Sequence, residues 1–433
     1  MTPADSVVQR QDAILSLDKQ GPLSNLRILD VTTFLSGPYC TQILGDLGAE
    51  VIKVEHPAGD ATRTLPPHFV EGDSAYFLST NRNKKSIVID LKVDEGKMLF
   101  RDLVRRCDVL VENFRPGVLE RLGLTYDDMA KESPGLVWCS ISGFGQDGPN
   151  RDFPAYDMMI QALSGVMSLT GERGGSPVRT GIPLSDLAAG MFAVIGILAA
   201  IEERSSSGQG QQIDISLLDS QISMLSYLGT YHLVSGDVPS RQGRGHESIP
   251  TYRSFKGRDG EQLVITANTE AMWRSLCEVL ELQELVDDGR FANNELRNLN
   301  REPLWAILEQ RFKERPAQEW VDDLLAASVP AATIKNLGEA LRGPQVVHRN
   351  MIVELRSPTG TPLQLLGDPV KLSRTRRSSH KYPPKLGEDT TSVLKELLGL
   401  SEIQIEDLRE AGAIASRPSD GRGDPKHSGN GKH

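Results

Sequence analysis

"LRILDVTTFLSGPYCTQILGDLGAEVIKVE", residues 26–55, decides the fold class, because it contains a strand, a helix and a second strand in succession. "LRILDV" (26–31) and "EVIKVE" (50–55) are short apolar runs, which are typical of buried strands. Between them, "PYCTQILGDLG" has a helical pattern that ends at Gly48, a residue type common just past a helix. This order predicts a parallel sheet covered by helices.

The same alternation continues to about residue 142. "KSIVIDLK", "DVLVENF" and "GLVWCSIS" indicate further strands, and the amphipathic "DEGKMLFRDLVRRC" indicates a helix between the first two of them. Ligands in such sheets gather at the carboxyl ends of the strands. The loops to consider for binding therefore begin at Thr32, Glu55, Lys92, Asn113 and Ser142.

The second half of the chain has a different character. Two long helices are predicted over residues 184–204 and 213–235, separated by the polar turn "SSSGQGQQ". Residues 250–330 begin with a hairpin pattern around Asp259-Gly260 and continue with helical patterns, so they predict a smaller α+β unit. "IVELRSPTGTPLQLLGDPV" within 345–375 predicts a second hairpin, and "TTSVLKELLGLS" predicts a late helix.

Charge and cysteine content exclude several classes of function. The net charge of -10 argues against non-specific binding to nucleic acid or to anionic membranes. The four cysteines are far apart, without a CxxC pair, so neither a disulfide framework nor a zinc site is expected. A small, locally recognised anion remains compatible with this composition.

Targeting signals are also weak in this sequence. The first 20 residues lack the basic start and apolar core of a signal peptide, and their acidic residues disfavour a mitochondrial presequence. No uninterrupted apolar run reaches the ~20 residues of a membrane span. We therefore expect a cytoplasmic protein without a membrane partner, and a mitochondrial location stays open for a eukaryotic source.

Two glycine-containing loops resemble nucleotide-binding motifs without their context. "GFGQDG" (143–148) matches the dinucleotide pattern, but Pro149 follows where a helix should open, which favours a plain loop. In "TTFLSGPYC" a single glycine would crowd a pyrophosphate, which disfavours NAD. Gly37-Pro38 instead indicates a helix opening whose N-terminus faces the crevice at the strand ends.

Basic residues recur after the predicted strands. "NRNKKS" (81–86) is either a solvated charge cluster or a phosphate clamp. Lys92, Arg115 and Arg121 follow later strands on the side where ligands bind. This pattern favours a small phosphorylated ligand over a polyanion, because the protein as a whole is acidic.

Asp186 in "PLSDLAAG" (183–190) has two interpretations. It precedes an apolar helical run, as a helix N-cap would, and its carboxylate could accept hydrogen bonds from orphan backbone N–H groups. The same position could make it an oxygen nucleophile, since the helix dipole favours the ionised form and an aspartate of ordinary pKa (~3.9) is a carboxylate at neutral pH.

Six motifs, in order, resemble the family III CoA-transferases, the superfamily of formyl-CoA transferase, carnitine CoA-transferase and α-methylacyl-CoA racemase. They are "LRILDVTTFLSGP", "LGDLGAEVIKVEHPAGDATR", "NRNKKSIVIDLK", "DVLVENFRPGVLERLGL", "YDMMIQALSGVMSLTG" and "PVRTGIPLSDLAAG". The resemblance covers about residues 25–410. "FVEGDSAYFLSTNRNKKSI" is most similar to the succinyl-CoA:dicarboxylate branch, which includes succinyl-CoA:glutarate CoA-transferases.

The resemblance implies that Asp186 is the catalytic aspartate, which takes the acyl group as a mixed anhydride and then carries CoA as a thioester. It implies a CoA thioester as substrate, with no metal and no tightly bound cofactor. The residues it implies for CoA binding are Lys92, Asn113, Phe114, Arg121, Tyr156 and Asp157.

The acceptor acid is less well indicated. In "QGRGHES", Gly243, Gly245 and His246 occupy the place of the family's glycine-rich shielding loop, with fewer glycines. Arg179 is the first candidate to bind the distal carboxylate of a dicarboxylate, with Arg63, Arg244 and His246 as alternatives.

Two departures from the family separate the possible reactions. Leu35 stands where formyl-CoA transferase has glutamine, which argues against formyl or oxalyl chemistry. Tyr156 stands where the racemase branch has its histidine, and a tyrosine is a poor base at neutral pH. A CoA-ester racemase and a non-catalytic CoA-binding protein remain the alternatives to a transferase.

The resemblance also implies the architecture: an α/β fold with a Rossmann-like large domain built from both chain ends, a smaller α+β middle domain, and two subunits interlocked as a homodimer. The expected segments are a flexible N-terminal extension (1–24), the first part of the large domain (25–235), the small domain with its linkers (236–330), a return to the large domain (331–415) and a tail (416–433). The polar, glycine- and proline-rich composition of that tail predicts disorder.

Overall fold

The computed structural model describes residues 21–375 and 379–414. The predicted disordered tail lies outside the described residues, as does most of the predicted N-terminal extension.

The described residues contain thirteen strands, numbered in chain order: β1 (Arg27–Asp30), β2 (Glu50–Glu55), β3 (Phe69–Val70), β4 (Asp73–Ser74), β5 (Lys84–Val88), β6 (Val109–Glu112), β7 (Val137–Ser142), β8 (Gln212–Ser216), β9 (Arg253–Lys256), β10 (Gln262–Ile265), β11 (Ala331–Thr333), β12 (Ile352–Arg356) and β13 (Pro362–Leu366).

The α-helices of the same residues are α1 (Ser36–Asp46), α2 (Ala75–Thr80), α3 (Asp94–Val104), α4 (Val118–Arg121), α5 (Tyr126–Glu132), α6 (Asp157–Leu163), α7 (Val166–Leu169), α8 (Leu184–Ser207), α9 (Leu217–Ser223), α10 (Ser226–Ser235), α11 (Glu270–Val279), α12 (Glu284–Asp287), α13 (Asn294–Leu299), α14 (Arg301–Phe312), α15 (Ala317–Ala326), α16 (Leu337–Leu341), α17 (Pro344–His348), α18 (Thr390–Leu398) and α19 (Glu402–Glu410). Short 3-10 helices cover Ala61–Thr64 and Gly289–Phe291.

Six strands form a central parallel sheet in the order β5-β2-β1-β6-β7-β8. This is the doubly wound order, in which the direction of winding reverses between the first strand and its neighbour on the other side. Here the reversal falls between β1 and β6. A crevice is expected at the carboxyl ends of those two strands, and the predicted parallel sheet is confirmed.

The sheet is buried on both faces because its strands are almost continuously apolar. In register, Leu29 lies opposite Ile52 on one side and Leu110 on the other, and all three are fully buried. Helix α3 places Phe100 and Leu103 in the same core, as its predicted amphipathic pattern requires.

The predicted helix over residues 213–235 is wrong in its first part. Gln212–Ser216 is the edge strand β8, paired with β7, and helices α9 and α10 follow it. "QIDIS" alternates polar and apolar residues with the period of a strand, and the open edge of β7 supplies its hydrogen-bonding partner. The helical prediction extended the pattern of the following residues back over this short strand.

Helix α8 is long and apolar enough to cross a membrane by length and composition, with a mean hydropathy of 2.1 over an 18-residue window. The expectation that no segment is long enough for a span therefore needs this correction. In this structure, one face of α8 packs on α1 and on β7. A Cβ at Gly190 would lie only 2.7 Å from the carbonyl oxygen of Ser36, so the close contact with α1 requires glycine.

The chain divides into two compact units. The first contains the described parts of residues 1–157, 184–220 and 353–433, and the second contains residues 158–183 and 221–352. These limits differ from the expected boundary at residue 330. The reason is strand β11, which pairs with β10 and so joins the antiparallel sheet of the second unit.

The second unit has the predicted α+β character. Strands β9 and β10 form an antiparallel hairpin around Asp259-Gly260, which confirms that turn, and β11 extends it to a three-stranded sheet. Phe255, Trp273 and Trp320 are fully buried between this sheet and its helices. The predicted second hairpin, β12 with β13, and the late helix α18 are also confirmed.

Candidate active site

A cavity of about 350 Å³ lies at the carboxyl ends of β1, β2, β5 and β6, within the first unit. Lys92, Phe114 and Arg121 all line it, so three of the predicted CoA-binding residues meet in one place. The rest of its wall is largely apolar and includes Val31, Val54, Ile89, Leu91, Val118 and Leu122. Two cations beside an aromatic ring and an apolar wall fit a ligand that carries both phosphates and an apolar part.

Local structure explains how these side chains reach the cavity. Lys92 lies in the turn after β5, where its backbone N–H donates to Asp90 Oδ1 (2.9 Å). Phe114 follows β6, and its backbone N–H donates to Glu112 Oε2 (2.9 Å). Arg121 is the last residue of the short helix α4. Each residue thus belongs to a segment that begins where a parallel strand ends, as predicted.

Asn113 does not line this cavity but holds its edge. Its Nδ2 donates to the carbonyl oxygen of Thr33 (2.8 Å), and the backbone N–H of Thr33 donates to its Oδ1 (2.9 Å). These two bonds join the loop after β1 to the loop after β6 across the crevice. The structure therefore shows Asn113 positioning the loop, and its contact with CoA stays a prediction.

Asp186 is the third residue of α8, so the interpretation of this residue as the N-cap is wrong. Asp157 instead satisfies the first turn of that helix. Its Oδ1 accepts hydrogen bonds from the backbone N–H (2.9 Å) and the hydroxyl (2.6 Å) of Ser185. Asp186 is therefore not used as a cap.

The environment of Asp186 changes its acidity. The pKa of its carboxyl is raised to about 7, mainly by burial and also by the negative charge of Asp157, while an interaction with the Ser36 side chain opposes the rise. The ordinary pKa of ~3.9 expected for Asp186 is therefore wrong. That expectation considered only the position in the helix, and neither the burial of the carboxyl nor the nearby carboxylate of Asp157. Near neutral pH, both protonation states of Asp186 are populated.

The loop between β1 and α1 links the cavity to Asp186. Thr33 is bonded to Asn113, the ring of Phe34 meets the ring of Tyr156 edge-on at 6.3 Å, and the carbonyl oxygen of Ser36 lies against Gly190 of the helix that carries Asp186. No role was expected for Phe34 or Ser36 from the sequence. Their position just after the first strand was the available signal.

Both interpretations of "NRNKKS" are wrong for its two most buried cations. Arg82 forms a two-point ion pair with Asp46 (2.9 and 2.6 Å), and Lys84 pairs with Asp30 (2.9 Å). They are therefore neither solvated nor free to bind phosphate. Burial lowers the pKa of Lys84 to about 8, although the Asp30 carboxylate opposes that change.

Arg63 is also unavailable to an acceptor carboxylate. Its guanidinium is buried, donates to Glu55 through two nitrogens (2.8 and 2.7 Å) and pairs with Asp73 (2.9 Å). A buried arginine with two carboxylate partners has its charge already compensated. Arg63 is therefore not available to bind a substrate carboxylate.

The other candidates for the acceptor site lie in the second unit. Gly245 forms a bridge with Arg253, and the ring of His246 stacks with Tyr227 and Tyr252 at 5.9 and 5.5 Å. Gly243 and Arg244 line a cavity of about 310 Å³ in that unit, and Arg179 is exposed and donates to the carbonyl oxygen of Thr180. The roles of Arg179, Gly243, Gly245 and His246 toward substrate stay predictions.

Comparison with known proteins settles the family. The model of CoA-transferase family III matches residues 23–390. The chain belongs to CoA-transferase family III. As a member of that family it is a CoA-transferase that acts on CoA thioesters, and the resemblance in its motifs is confirmed. Among residues 21–375 and 379–414, no three His, Cys, Asp or Glu side chains lie close enough to hold a metal ion.

Relatives of this CoA-transferase match over nearly their whole lengths. The human succinyl-CoA:glutarate CoA-transferase is 40% identical over 394 residues, which cover 91% of this chain and 90% of that protein. The acetyl-CoA:oxalate CoA-transferase of Acetobacter aceti is 39% identical, covering 87% and 96%. A crystal structure of a CAIB/BAIF family protein from Brucella suis superposes with a TM-score of 0.78 and 37% identity, covering 87% of this chain and all of that one.

Proposed function

We propose that this CoA-transferase moves CoA from succinyl-CoA to glutarate or to another dicarboxylate of similar length, with Asp186 as the nucleophile. The 40% identity to the human succinyl-CoA:glutarate enzyme supports the substrates. The observation that carries the proposal is structural: a half-buried carboxyl of raised pKa lies on the helix that packs against α1, and the loop just before α1 lines a cavity that Lys92 and Arg121 share.

Lys92 and Arg121 are proposed to bind the phosphate groups of CoA by charge-assisted hydrogen bonds. Phe114, on the same cavity wall, offers an apolar ring face to the ligand. Asn113 keeps the two adjacent loops together, so the cavity has its shape before CoA arrives. Tyr156 and Asp157 would lie near the thioester, because Asp157 bonds the residue next to Asp186.

The proposed reaction conserves the energy of the thioester. One Asp186 oxygen attacks the thioester carbonyl carbon of succinyl-CoA, and the C–S bond breaks. This step forms a mixed anhydride of Asp186 and succinate and releases CoA as a thiolate. The thiolate then attacks the aspartyl carbonyl, and succinate leaves with the electron pair of the broken C–O bond. The acceptor carboxylate attacks the aspartyl thioester to give a second anhydride. The released thiolate attacks the acceptor-derived carbonyl of this second anhydride. That step forms the new acyl-CoA and releases Asp186 as a carboxylate.

The raised pKa of Asp186 suits this role. A more basic carboxylate is a stronger nucleophile, and burial removes part of the water that would otherwise stabilise its charge. The same burial limits hydrolysis of the anhydride and thioester intermediates. Since the pKa is about 7, a large fraction of the enzyme has the reactive carboxylate at neutral pH.

We also propose that the enzyme is a homodimer with interlocked subunits. In the first unit, α8 exposes Met191 (42%) and Ile195 (60%). In the second unit, α10 exposes Leu233 (84%) and Val234 (82%). Exposed apolar surface of this kind is typical of a subunit interface. Light scattering after size exclusion should give a mass near 95 kDa, twice the 47.5 kDa of the chain, and a monomer would contradict the proposal.

For the acceptor, we propose that Arg179 binds the distal carboxylate. It is exposed, seven residues before Asp186 in the chain, and its only recorded hydrogen bond among the described residues goes to the neighbouring carbonyl of Thr180. Arg179→Gln should raise the KM for glutarate and leave that for a monocarboxylate acceptor unchanged. Equal effects on both acceptors would exclude recognition of a distal carboxylate.

An acceptor screen tests the reaction itself. Purified enzyme is incubated with succinyl-CoA and glutarate, malate, itaconate or oxalate, and the CoA esters are followed by mass spectrometry. Glutaryl-CoA should form fastest, with matching release of succinate. Formation of oxalyl-CoA alone would replace the proposed acceptor. Deuterium entering the α-carbon without acyl exchange would indicate the racemase reaction instead.

A further inference from the structure

We infer that the second unit contains a binding site for a small carboxylic acid, in which the buried Arg253 and the neighbouring Arg244 bind one carboxylate group. The site is the cavity of about 310 Å³, and none of its lining residues lines the CoA cavity of the first unit. Arg253 was not among the residues that the sequence indicated for ligand binding. The inference does not depend on the proposed reaction, because it concerns binding in the absence of CoA.

Arg253 is held between aromatic rings at the wall of this cavity. It is the first residue of β9 and is only 7% exposed. Its guanidinium carbon lies 4.1 Å from the centre of the Trp305 ring and 5.3 Å from the centre of the Phe255 ring. The indole N–H of Trp305 donates to the carbonyl oxygen of Pro250 (2.7 Å), which fixes that ring. The guanidinium therefore has a defined position before any ligand binds.

One donor of Arg253 has no protein partner. Its Nη2 donates to Glu309 Oε1 (3.0 Å), whereas its Nε is buried and has no hydrogen-bond partner among the described residues. A buried donor without a partner is unfavourable, and native proteins contain few of them. Carboxylates commonly accept from two N–H groups of one arginine at once. A ligand carboxylate bound to Arg253 would therefore satisfy the Nε–H.

Positive charge is in excess beside this donor. Arg244 lines the same cavity, and its Nη2 lies 3.7 Å from the Glu309 oxygen to which Arg253 donates. One carboxylate thus serves two guanidinium groups. A single negative charge cannot compensate both of them, so this position attracts a second carboxylate.

The other charged side chains of the cavity do not remove this local excess. Arg173 and Glu302 form an exposed ion pair of their own (2.5 Å), and Glu172 is exposed, so water and salt screen its charge. Over the whole lining, three arginines face three glutamates, which gives no net charge. The cavity therefore favours a ligand that brings one carboxylate to the arginine pair, and not a polyanion.

Backbone hydrogen bonds keep the two arginines together. The backbone N–H of Ser254 donates to the carbonyl oxygen of Arg244 (3.0 Å), and Gly245 forms an antiparallel bridge with Arg253. Strand β9 is itself paired with β10 in the sheet of the second unit. The loop that carries Arg244 is thus an extension of that sheet. A site formed in this way loses little conformational entropy when a ligand binds.

The size and the lining of the cavity define the ligand class. A volume of about 310 Å³ accommodates a small molecule, and Trp305 and Ala306 offer apolar surface to a short carbon chain. A CoA-transferase accepts one carboxylic acid and releases another in each turnover, so ligands of this class are present wherever the enzyme works. Inorganic phosphate would offer similar oxygens without the carbon chain, and the experiment separates the two.

Isothermal titration calorimetry of the whole enzyme without CoA, at fixed ionic strength, tests the site with glutarate. The comparison ligands are glutaramide, its uncharged analogue, and inorganic phosphate. Glutarate should bind, glutaramide should give no heat of binding, and phosphate should bind more weakly than glutarate. Absence of glutarate binding, equal binding of glutaramide, or phosphate binding as tight as that of glutarate would each overturn the inference.

Variants locate the binding. Arg244→Gln and Arg253→Lys should each raise the Kd for glutarate about 10-fold or more, as expected for a lost charge-assisted hydrogen bond. Lysine retains the charge of Arg253 but lacks the planar guanidinium and its Nε–H. Arg349→Gln, at an exposed position of the second unit, should leave the Kd unchanged. Equal Kd values in wild type, Arg244→Gln and Arg253→Lys would overturn the inference.

Glu309→Gln should have the opposite effect, which a purely structural role of the arginines does not predict. The amide can still accept from Arg253, but it no longer competes with a ligand for the two positive charges. Glutarate should bind about 3-fold tighter or more, because a like charge has been removed. Unchanged or weaker binding in a folded Glu309→Gln would overturn the inference.

Arg179→Gln separates this site from the acceptor position proposed for Arg179. Glutarate should still bind to that variant, and loss of all glutarate binding there would overturn the inference. Failure of the proposed reaction is detected separately, as the absence of glutaryl-CoA in the acceptor screen.

Discussion

Asp186→Asn should stabilise the protein increasingly as pH rises. Asparagine has nearly the shape of aspartate, but it cannot ionise. In the wild type, burial and Asp157 raise the pKa of Asp186 from 3.8 to about 7. The unfolded chain thus loses this proton near pH 4 and the native protein near pH 7, so between these values the native state binds more protons. Stability of the wild type must then fall as pH rises through this range and level off above it.

The size of the effect follows from the two pKa values. Each pKa unit corresponds to about 1.4 kcal/mol, so the free energy of unfolding of the wild type should fall by roughly 3 kcal/mol between pH 5 and pH 8.5 relative to the variant. Asp186 is partly accessible to solvent, which reduces the expected value to about 2 kcal/mol. Partial exposure makes the stability change smaller, but its sign, which the raised pKa sets, stays the same.

Urea unfolding followed by circular dichroism, at fixed protein concentration, measures this difference at several pH values. The control is Asp287→Asn, which removes the same charge at an exposed position of α12. A stability difference between wild type and Asp186→Asn that stays flat from pH 5 to pH 8.5 would refute the reasoning, since the buried carboxyl would then not have the raised pKa on which the mechanism depends. A difference that favours the wild type at high pH would refute it too.

Three further predictions follow from the site. First, kcat/KM should fall tenfold per pH unit below about pH 7 as Asp186 takes up its proton, and an acid limb near pH 4 would contradict the raised pKa. The variant Asp186→Asn should lose transfer activity, while its circular dichroism spectrum shows an intact fold. Second, Lys92→Ala and Arg121→Ala should each raise the KM for succinyl-CoA about 10-fold or more, as expected for a lost charge-assisted hydrogen bond, with little change in kcat; unchanged KM values would place CoA elsewhere. Third, Lys84→Met should lower the free energy of unfolding by about 3–5 kcal/mol, because it leaves Asp30 buried without its partner; a loss below 1 kcal/mol in urea unfolding would mean that this pair is not buried.

Matched controls accompany the second and third predictions. Lys256→Ala removes an exposed lysine from β9. It should leave the KM for succinyl-CoA unchanged and should change the free energy of unfolding by no more than about 0.5 kcal/mol. An effect of Lys256→Ala equal to that of Lys92→Ala would show that net charge, and not a local contact, controls CoA binding.

Much of the first unit could be predicted because its signals are local. Strand and helix periods are properties of consecutive residues, and parallel strands bring their carboxyl ends to one edge. For this reason Lys92, Phe114 and Arg121, which are far apart in the chain, could be expected to share a cavity. Asp186 was singled out as the proposed nucleophile from a motif of a few residues, and that role stays a prediction.

The sequence by itself determined the parallel α/β sheet, the two hairpins, the family and the strand ends where ligand would bind. Only the tertiary structure decided the electrostatics: that Arg82 and Lys84 are buried in ion pairs, and that Asp157 meets the helix of Asp186. The tertiary structure alone also decided that "QIDIS" is an edge strand, because β7 has an open edge with which this segment pairs. The physical reason is that desolvation, charge pairing and strand pairing depend on neighbours that are distant in the chain, and a local pattern contains no information about them.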